Sequence, residues 1–223
     1  MKKISDFTKA KFRLTYFPAY GKAEAIRCLL AHVGADWEDV IVTMDEWKTI
    51  KDNTPGGQLP ILEVYMNGAT DKPSMVLYES TAIIAMLALN HGMYKTECPF
   101  LHYQLRLAMG VADDLCQCRL DWFHTPDSGK ADAEKKIREE RIPKMLKKLL
   151  KVLQDNSSGK MKHFVGEEIT LADIYVFAAL DRVCLLDEDV IKKEAPQLLD
   201  FHKSLMEASP NLKIYVSTRR GNN

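Results

Sequence analysis

A tyrosine hydroxyl at the end of a short apolar run is the strongest chemical signal in this chain. Leu14-Thr15-Tyr16-Phe17-Pro18 leads into Gly21-Lys22-Ala23-Glu24-Ala25-Ile26-Arg27, a strand end followed at once by an amphipathic helix. A phenol stays protonated at neutral pH, so Tyr16 can donate a hydrogen bond to an anion, and a helix N-terminus just beyond it adds partial positive charge. A thiol gains much from such a donor. With a pKa near 8.5, only about 3% of a free thiol is ionised at pH 7. Lowering that pKa by roughly two units requires about 2.7 kcal/mol of preferential thiolate stabilisation. The competing reading is an ordinary aromatic at a strand end.

Several later residues have the chemistry of a small-peptide cradle. Gln58-Leu59-Pro60 precedes an apolar strand. Pro60 suits either a plain trans corner or a cis corner that turns the Leu59 backbone outward for strand-like pairing with a peptide. Glu79-Ser80 opens a helix, where Ser80 is either a simple cap or part of a carboxylate-binding terminus. Trp47 and Lys51 lie one helical turn apart and can share a face. Phe17, Tyr20, Met109, Trp122 and Phe123 are the aromatic and apolar side chains suited to line a hydrophobic pocket, although core packing accounts for each equally well.

The elements that must hold these groups follow from periodicity. Phe12 to Phe17 alternates as a strand, with Phe12, Leu14 and Tyr16 on one face. Lys22 to Val33 places Ile26, Leu29, Leu30 and Val33 on one helical face and stops at Gly34. Trp37 to Val42 is a second strand, so the first three elements make a βαβ unit with parallel pairing. An irregular segment follows. Pro60 to Tyr65 and Met75 to Tyr78 then form an antiparallel pair through the turn-prone Asn67-Gly68 and Asp71-Lys72-Pro73, and Ser80 to Leu89 is a helix with Ile83, Ile84 and Leu87 inward. Beyond a composition shift at His91–Pro99, four helices are expected, over Leu101–Phe123, Ala131–Gln154, Thr170–Leu186 and Pro196–Ala208. Met145, Leu146, Leu149, Leu150 and Leu153 form one core stripe. Thr170-Leu171-Ala172-Asp173 is a capping box, with Ile169 and Ile174 placed as a hydrophobic staple.

Composition narrows the function classes. The 223 residues carry 31 Lys+Arg and 31 Asp+Glu, so the net charge is zero and gives no global attraction to nucleic acid or an acidic membrane. Cys28, Cys98, Cys116, Cys118 and Cys184 include no C-x-x-C pair and no zinc-like spacing with histidine, as expected of free thiols in a reducing compartment. Met1-Lys2-Lys3 is followed by Ser5, Asp6, Thr8 and Lys9 where a signal peptide needs an apolar run. The longest uncharged stretch, Ser80 to Tyr94, is too short to span a bilayer. A cytoplasmic protein with no metal, nucleic-acid or membrane partner is expected.

Taken in order, Tyr16, Trp47, Lys51, Gly57-Gln58-Leu59-Pro60, Glu79-Ser80 and the Thr170–Asp173 box resemble a cytosolic glutathione S-transferase. The match is closest to the sigma-like class, the branch that includes glutathione-dependent prostaglandin D synthase. That resemblance implies a thioredoxin-like α/β domain (β-α-β-α-β-β-α) over residues 1–92 and an all-α domain over 98–223 that contributes the electrophile pocket. It implies that Tyr16 activates glutathione and that Trp47, Lys51, Gln58, Leu59, Pro60, Glu79 and Ser80 bind it. It also implies a homodimer in which Asp113 reaches the γ-glutamyl amine of the other subunit's ligand, and a small hydrophobic electrophile as second substrate. Three positions depart from the pattern. Lys22 replaces an arginine and lacks its bidentate fork. Glu79 replaces a glutamine, and Gly56 stands where several classes carry an aromatic interface key. Three activities compete on this sequence: conjugation, glutathione-dependent isomerisation of the prostaglandin type, and ligand binding without catalysis. Thiol–disulfide exchange on the same half-fold lacks its C-x-x-C.

Overall fold

Alternation in Lys11–Tyr16 (β1) buries Phe12, Leu14 and Tyr16, and this strand is the centre around which the first half is built. The computed structural model describes residues 7–66, 68–69, 71–95, 97–156 and 160–219. The basic Met1 to Lys3 and Asn67 of the expected turn lie outside the described residues. Asp36–Ile41 (β2) pairs parallel to β1, Ile61–Tyr65 (β3) pairs antiparallel on its other side, and Met75–Tyr78 (β4) pairs antiparallel with β3. The sheet order is therefore β2-β1-β3-β4. The helices of this half are Glu24–His32 (α1), Met44–Ile50 (α2) and Ser80–Asn90 (α3). Ile26, Leu29 and Leu30 of α1 and Ile83, Ile84 and Leu87 of α3 are buried, as their spacing requires.

The segment before β3, expected to be irregular, contains α2. Its start is a complete capping box: the Glu46 backbone N–H donates to Thr43 Oγ1 at 3.3 Å, and the Thr43 N–H donates to the Glu46 carboxylate at 2.8 Å. These bonds to Thr43 hold the Glu46 carboxyl below its ordinary pKa.

The described helices of the second half are Pro99–His124 (α4), Lys130–Lys136 (α5), Ile142–Asn156 (α6), Leu171–Glu194 (α7) and Pro196–Ala208 (α8). Leu105, Ala108 and Leu115 of α4, Leu146, Leu149 and Leu153 of α6, and Ile174, Phe177 and Leu180 of α7 form its core. The single helix expected over Ala131–Gln154 is divided by a π turn at Ile137–Arg141. Pro143 has no N–H and crowds the carbonyl four residues back, and a wider turn there absorbs both defects. In α7 the Thr170–Asp173 box closes as expected. Asp173 is fully buried and accepts from the Phe164 and Thr170 backbone N–H groups, each at 2.7 Å. The helix is interrupted at Asp187, just past the expected end at Leu186, and Asp187 pairs with Arg138 at 3.2 Å.

A further helix, Pro210–Thr218 (α9), is not apparent from periodicity. It packs on α1, so the chain divides into one unit of residues up to Met93 together with those from Ser209 on, and a second from Tyr94 to Ala208. The expected division at 1–92 and 98–223 differs from this at the C-terminal end.

Candidate active site

β1 ends by delivering Tyr16 with only 8% of its surface exposed. Its hydroxyl oxygen accepts the Lys22 backbone N–H at 3.0 Å. That bond uses a lone pair and leaves the phenolic proton available for a second partner. The N–H comes from a short 3₁₀ turn, Gly21–Ala23, that precedes α1. Gly21 lies at φ +44°, and a Cβ there would sit 2.3 Å from the Tyr16 hydroxyl. Only glycine satisfies both the backbone angle and the close approach.

The loop between Tyr16 and Lys22 is fixed from below by Arg27. This side chain is almost fully buried, donates to the Ala19 carbonyl at 2.9 Å and the Tyr20 carbonyl at 3.4 Å, and pairs with Asp39 at 3.1 Å and Glu24 at 3.4 Å. Burial acts to lower the guanidinium pKa, but Asp39 and Glu24 outweigh it and hold the group above its ordinary value. The permanent cation lies 5.7 Å from the centroid of the Tyr16 ring. Neither Gly21 nor Arg27 is apparent as a functional residue from sequence. The available signal for Arg27 is its position one turn after Glu24 on an otherwise apolar helix.

Sheet register brings the cradle residues to one end. Thr15, Ile61 and Tyr78 lie in one row across β1, β3 and β4, so the next residues outward are Tyr16, Pro60 and Glu79. The Leu59–Pro60 peptide is cis. Glu79 has φ +69° and ψ +105°, a conformation L residues seldom adopt, and its carboxylate accepts a hydrogen bond from Gln58 Nε2. Ser80 follows as the first residue of α3. Trp47, 9% exposed on α2, meets Phe17 edge-on at 5.9 Å, and Phe17 meets Tyr16 at 5.5 Å. Trp47 and Lys51 do not share an environment: one is buried and the other exposed at the end of α2. Tyr20 lies beneath the Arg219 guanidinium at 4.7 Å.

The remaining expected residues belong to the helical unit. Asp113 is exposed and accepts the Tyr175 hydroxyl proton at 2.7 Å. Burial and Asp113 together push the Tyr175 phenol far above its ordinary range. Met109 is buried in the core at 2% exposure, Trp122 is half-buried with Lys130 Nζ 5.5 Å from its ring centroid, and Phe123 is 66% exposed. Among the described residues, no three His, Cys, Asp or Glu side chains cluster in a way that could hold a metal ion, and no helix is long and apolar enough to cross a membrane.

Residues 12–88 match the family model for the glutathione S-transferase N-terminal domain, and residues 113–219 match the model for the C-terminal domain. The class-mu 28 kDa glutathione S-transferase of Schistosoma mansoni is 31% identical over 209 residues, spanning 93% of this chain and 95% of the relative. The chain belongs to the glutathione S-transferase family. Among solved structures, the Fasciola hepatica sigma class glutathione S-transferase superposes with a TM-score of 0.82 at 34% identity, covering 96% of this chain and 98% of its own. The hematopoietic prostaglandin D synthase of Gallus gallus is 28% identical over 93% of this chain and 96% of its own length. Within the glutathione S-transferase architecture, Tyr16, Pro60 and Glu79 occupy the sheet end of the N-terminal domain, and the Phe17–Trp47 contact connects α2 to that end.

Proposed function

We propose that this glutathione S-transferase conjugates glutathione to a small hydrophobic electrophile, with Tyr16 donating its hydroxyl proton in a hydrogen bond to the glutathione thiolate. The observation that carries the reading is the Lys22 N–H bond to the Tyr16 oxygen, which orients the hydroxyl and leaves its proton to donate. A hydrogen bond to a charged group contributes about 1.5–3 kcal/mol. That range covers the roughly 2.7 kcal/mol needed to lower a thiol pKa by two units. The Arg27 cation beside the ring and the N–H at the turn act in the same direction by polarising the phenol.

In this reading Trp47, Lys51, Gln58, Leu59, Pro60, Glu79 and Ser80 hold the tripeptide. Glu79 attracts the ligand's ammonium, and Gln58 takes up part of its carboxylate charge. Phe17, edge-on to Trp47 beside Tyr16, lines the electrophile pocket. The protein is a sigma-like, cytoplasmic, detoxifying enzyme that works as a homodimer, in which Asp113 of one copy meets the γ-glutamyl amine held by the other. Conjugation is preferred over prostaglandin-type isomerisation because Lys22 supplies a single-point cation in place of the forked arginine.

The test is steady-state conjugation of glutathione to a generic aryl halide by the wild-type protein and Tyr16→Phe. Turnover in the wild type with a large loss in the variant is expected. Equal rates would refute Tyr16 as thiolate donor, and absence of turnover in both would favour the ligand-binding reading.

A further inference from the structure

The C-terminal helix α9 returns to the first unit and ends beside the loop whose N–H orients Tyr16. Tyr215 donates its hydroxyl proton to Glu24, whose two carboxylate oxygens both lie 3.1 Å away. Arg219 pairs with the same carboxylate at 2.6 Å, and its guanidinium covers the Tyr20 ring at 4.7 Å. Glu24 is 1% exposed and the Arg219 side chain 7%, so this is a buried cluster rather than a surface pair. The Tyr215 ring is further held by Trp37 at 5.9 Å. Burial and Glu24 push the Tyr215 phenol up, so it stays a donor at any physiological pH.

Tyr20 immediately precedes Gly21, and the next residue supplies the N–H that orients Tyr16. Arg27 holds the carbonyls of this loop, but its bonds fix only the backbone at Ala19 and Tyr20. We propose that Arg219, braced by Tyr215 through Glu24, is a positioning residue for catalysis: it clamps the Tyr20 ring and so holds the Lys22 N–H against the Tyr16 hydroxyl. The guanidinium suits this role because its plane can stack on the ring while its edge bonds the carboxylate, a combination an ammonium cannot provide. In this role Arg219 acts through the Tyr20 ring and not directly on the hydroxyl or the thiol. This role rests on the reading of Tyr16 as the thiolate donor.

The clamp is tested by the pH dependence of kcat/KM for aryl-halide conjugation in wild type, Arg219→Ala, Arg219→Lys, Tyr215→Phe and Tyr16→Phe. Arg219→Ala is expected to move the inflection alkaline by about half a pH unit, which is about a threefold loss well below the inflection. The high-pH plateau and the glutathione KM are expected to stay near wild type. Arg219→Lys falls between the two, and Tyr215→Phe shifts the same way by less while keeping the ring. A superimposable profile for Arg219→Ala, or a uniform loss at every pH, overturns the clamp while Tyr16→Phe still shifts. If Arg219→Ala does not fold, an unmoved inflection in Tyr215→Phe overturns it. An unshifted Tyr16→Phe profile overturns the thiolate reading, and the clamp with it.

Discussion

Replacing Gly21 by alanine would place a methyl carbon 2.3 Å from the Tyr16 hydroxyl, 2.7 Å from Cε1 and 2.8 Å from Cζ. Ordinary contact lies at about 3.5–4.0 Å between carbons, so the ring or the loop must retreat by roughly 1 Å. Neither retreat leaves the site intact. The ring is buried, with Phe17 at 5.5 Å and the Arg27 guanidinium at 5.7 Å, and movement of the loop withdraws the Lys22 N–H from the hydroxyl. A displacement of about 1 Å costs up to about 10²-fold in rate, so kcat/KM is expected to fall about 10- to 100-fold. The backbone at φ +44° adds a separate destabilisation of about 1–2 kcal/mol for a residue with a Cβ. That corresponds to a melting-temperature loss of roughly 2–8 °C. Gly92 is the control: it has φ +69° and nothing within 4 Å of the methyl that alanine would add, so Gly92→Ala should lower the melting temperature while leaving kcat/KM unchanged. Wild-type kcat/KM in Gly21→Ala would refute the argument that the hydroxyl must be held at this point.

Two further outcomes follow from the cap of α2 and from the seat of α9. Thr43→Ala breaks the capping box of the helix that carries Trp47 and costs about 1 kcal/mol; glutathione KM should rise by up to about fivefold with kcat retained, and an unchanged KM would separate Trp47 placement from binding. His32 bonds Ser209 at 2.7 Å at the start of α9, and burial, with His91 nearby, holds its imidazole below the ordinary 6.5. The unfolded chain therefore takes up a proton that the folded one resists, so this contribution to stability is complete above about pH 6.5 and is lost as pH falls below it. Urea unfolding over a pH series should show a shallower acid slope in His32→Asn, and parallel slopes would contradict this.

Legibility in the sequence tracks the strength of local patterning. β1, β3 and α3 emerge from alternation and apolar spacing because each buries a regular face, β4 follows from the turn that joins it to β3 although it is only half-buried, and Gly34 ends α1 at φ +65° as its position suggests. The short α2 carries no such face: only Trp47 is buried in it, yet Thr43 and Glu46 already spell its capping box. Likewise α9 buries only Leu212, although Ser209-Pro210 is a helix start. Tyr16, Gln58, Pro60 and Glu79 are legible as candidates because their order is distinctive, and sheet register places Tyr16, Pro60 and Glu79 at one end. The supporting residues are not. Glu24 and Arg27 read as the polar side of a surface helix, but α9 covers that side, and Glu24 finds its partner Arg219 195 positions away. The need for glycine at position 21 arises from a turn that folds the chain back onto Tyr16, which no local period encodes.

The most direct test of the account is the ultraviolet titration of glutathione bound to the protein, following thiolate absorbance against pH in wild type and Tyr16→Phe. The account predicts a bound-thiol pKa about two units below the free value in wild type, returning most of the way to it in the variant. A bound thiol that ionises at its free value in the wild-type protein, or at the same depressed value in both, would contradict Tyr16 as the group that holds the thiolate.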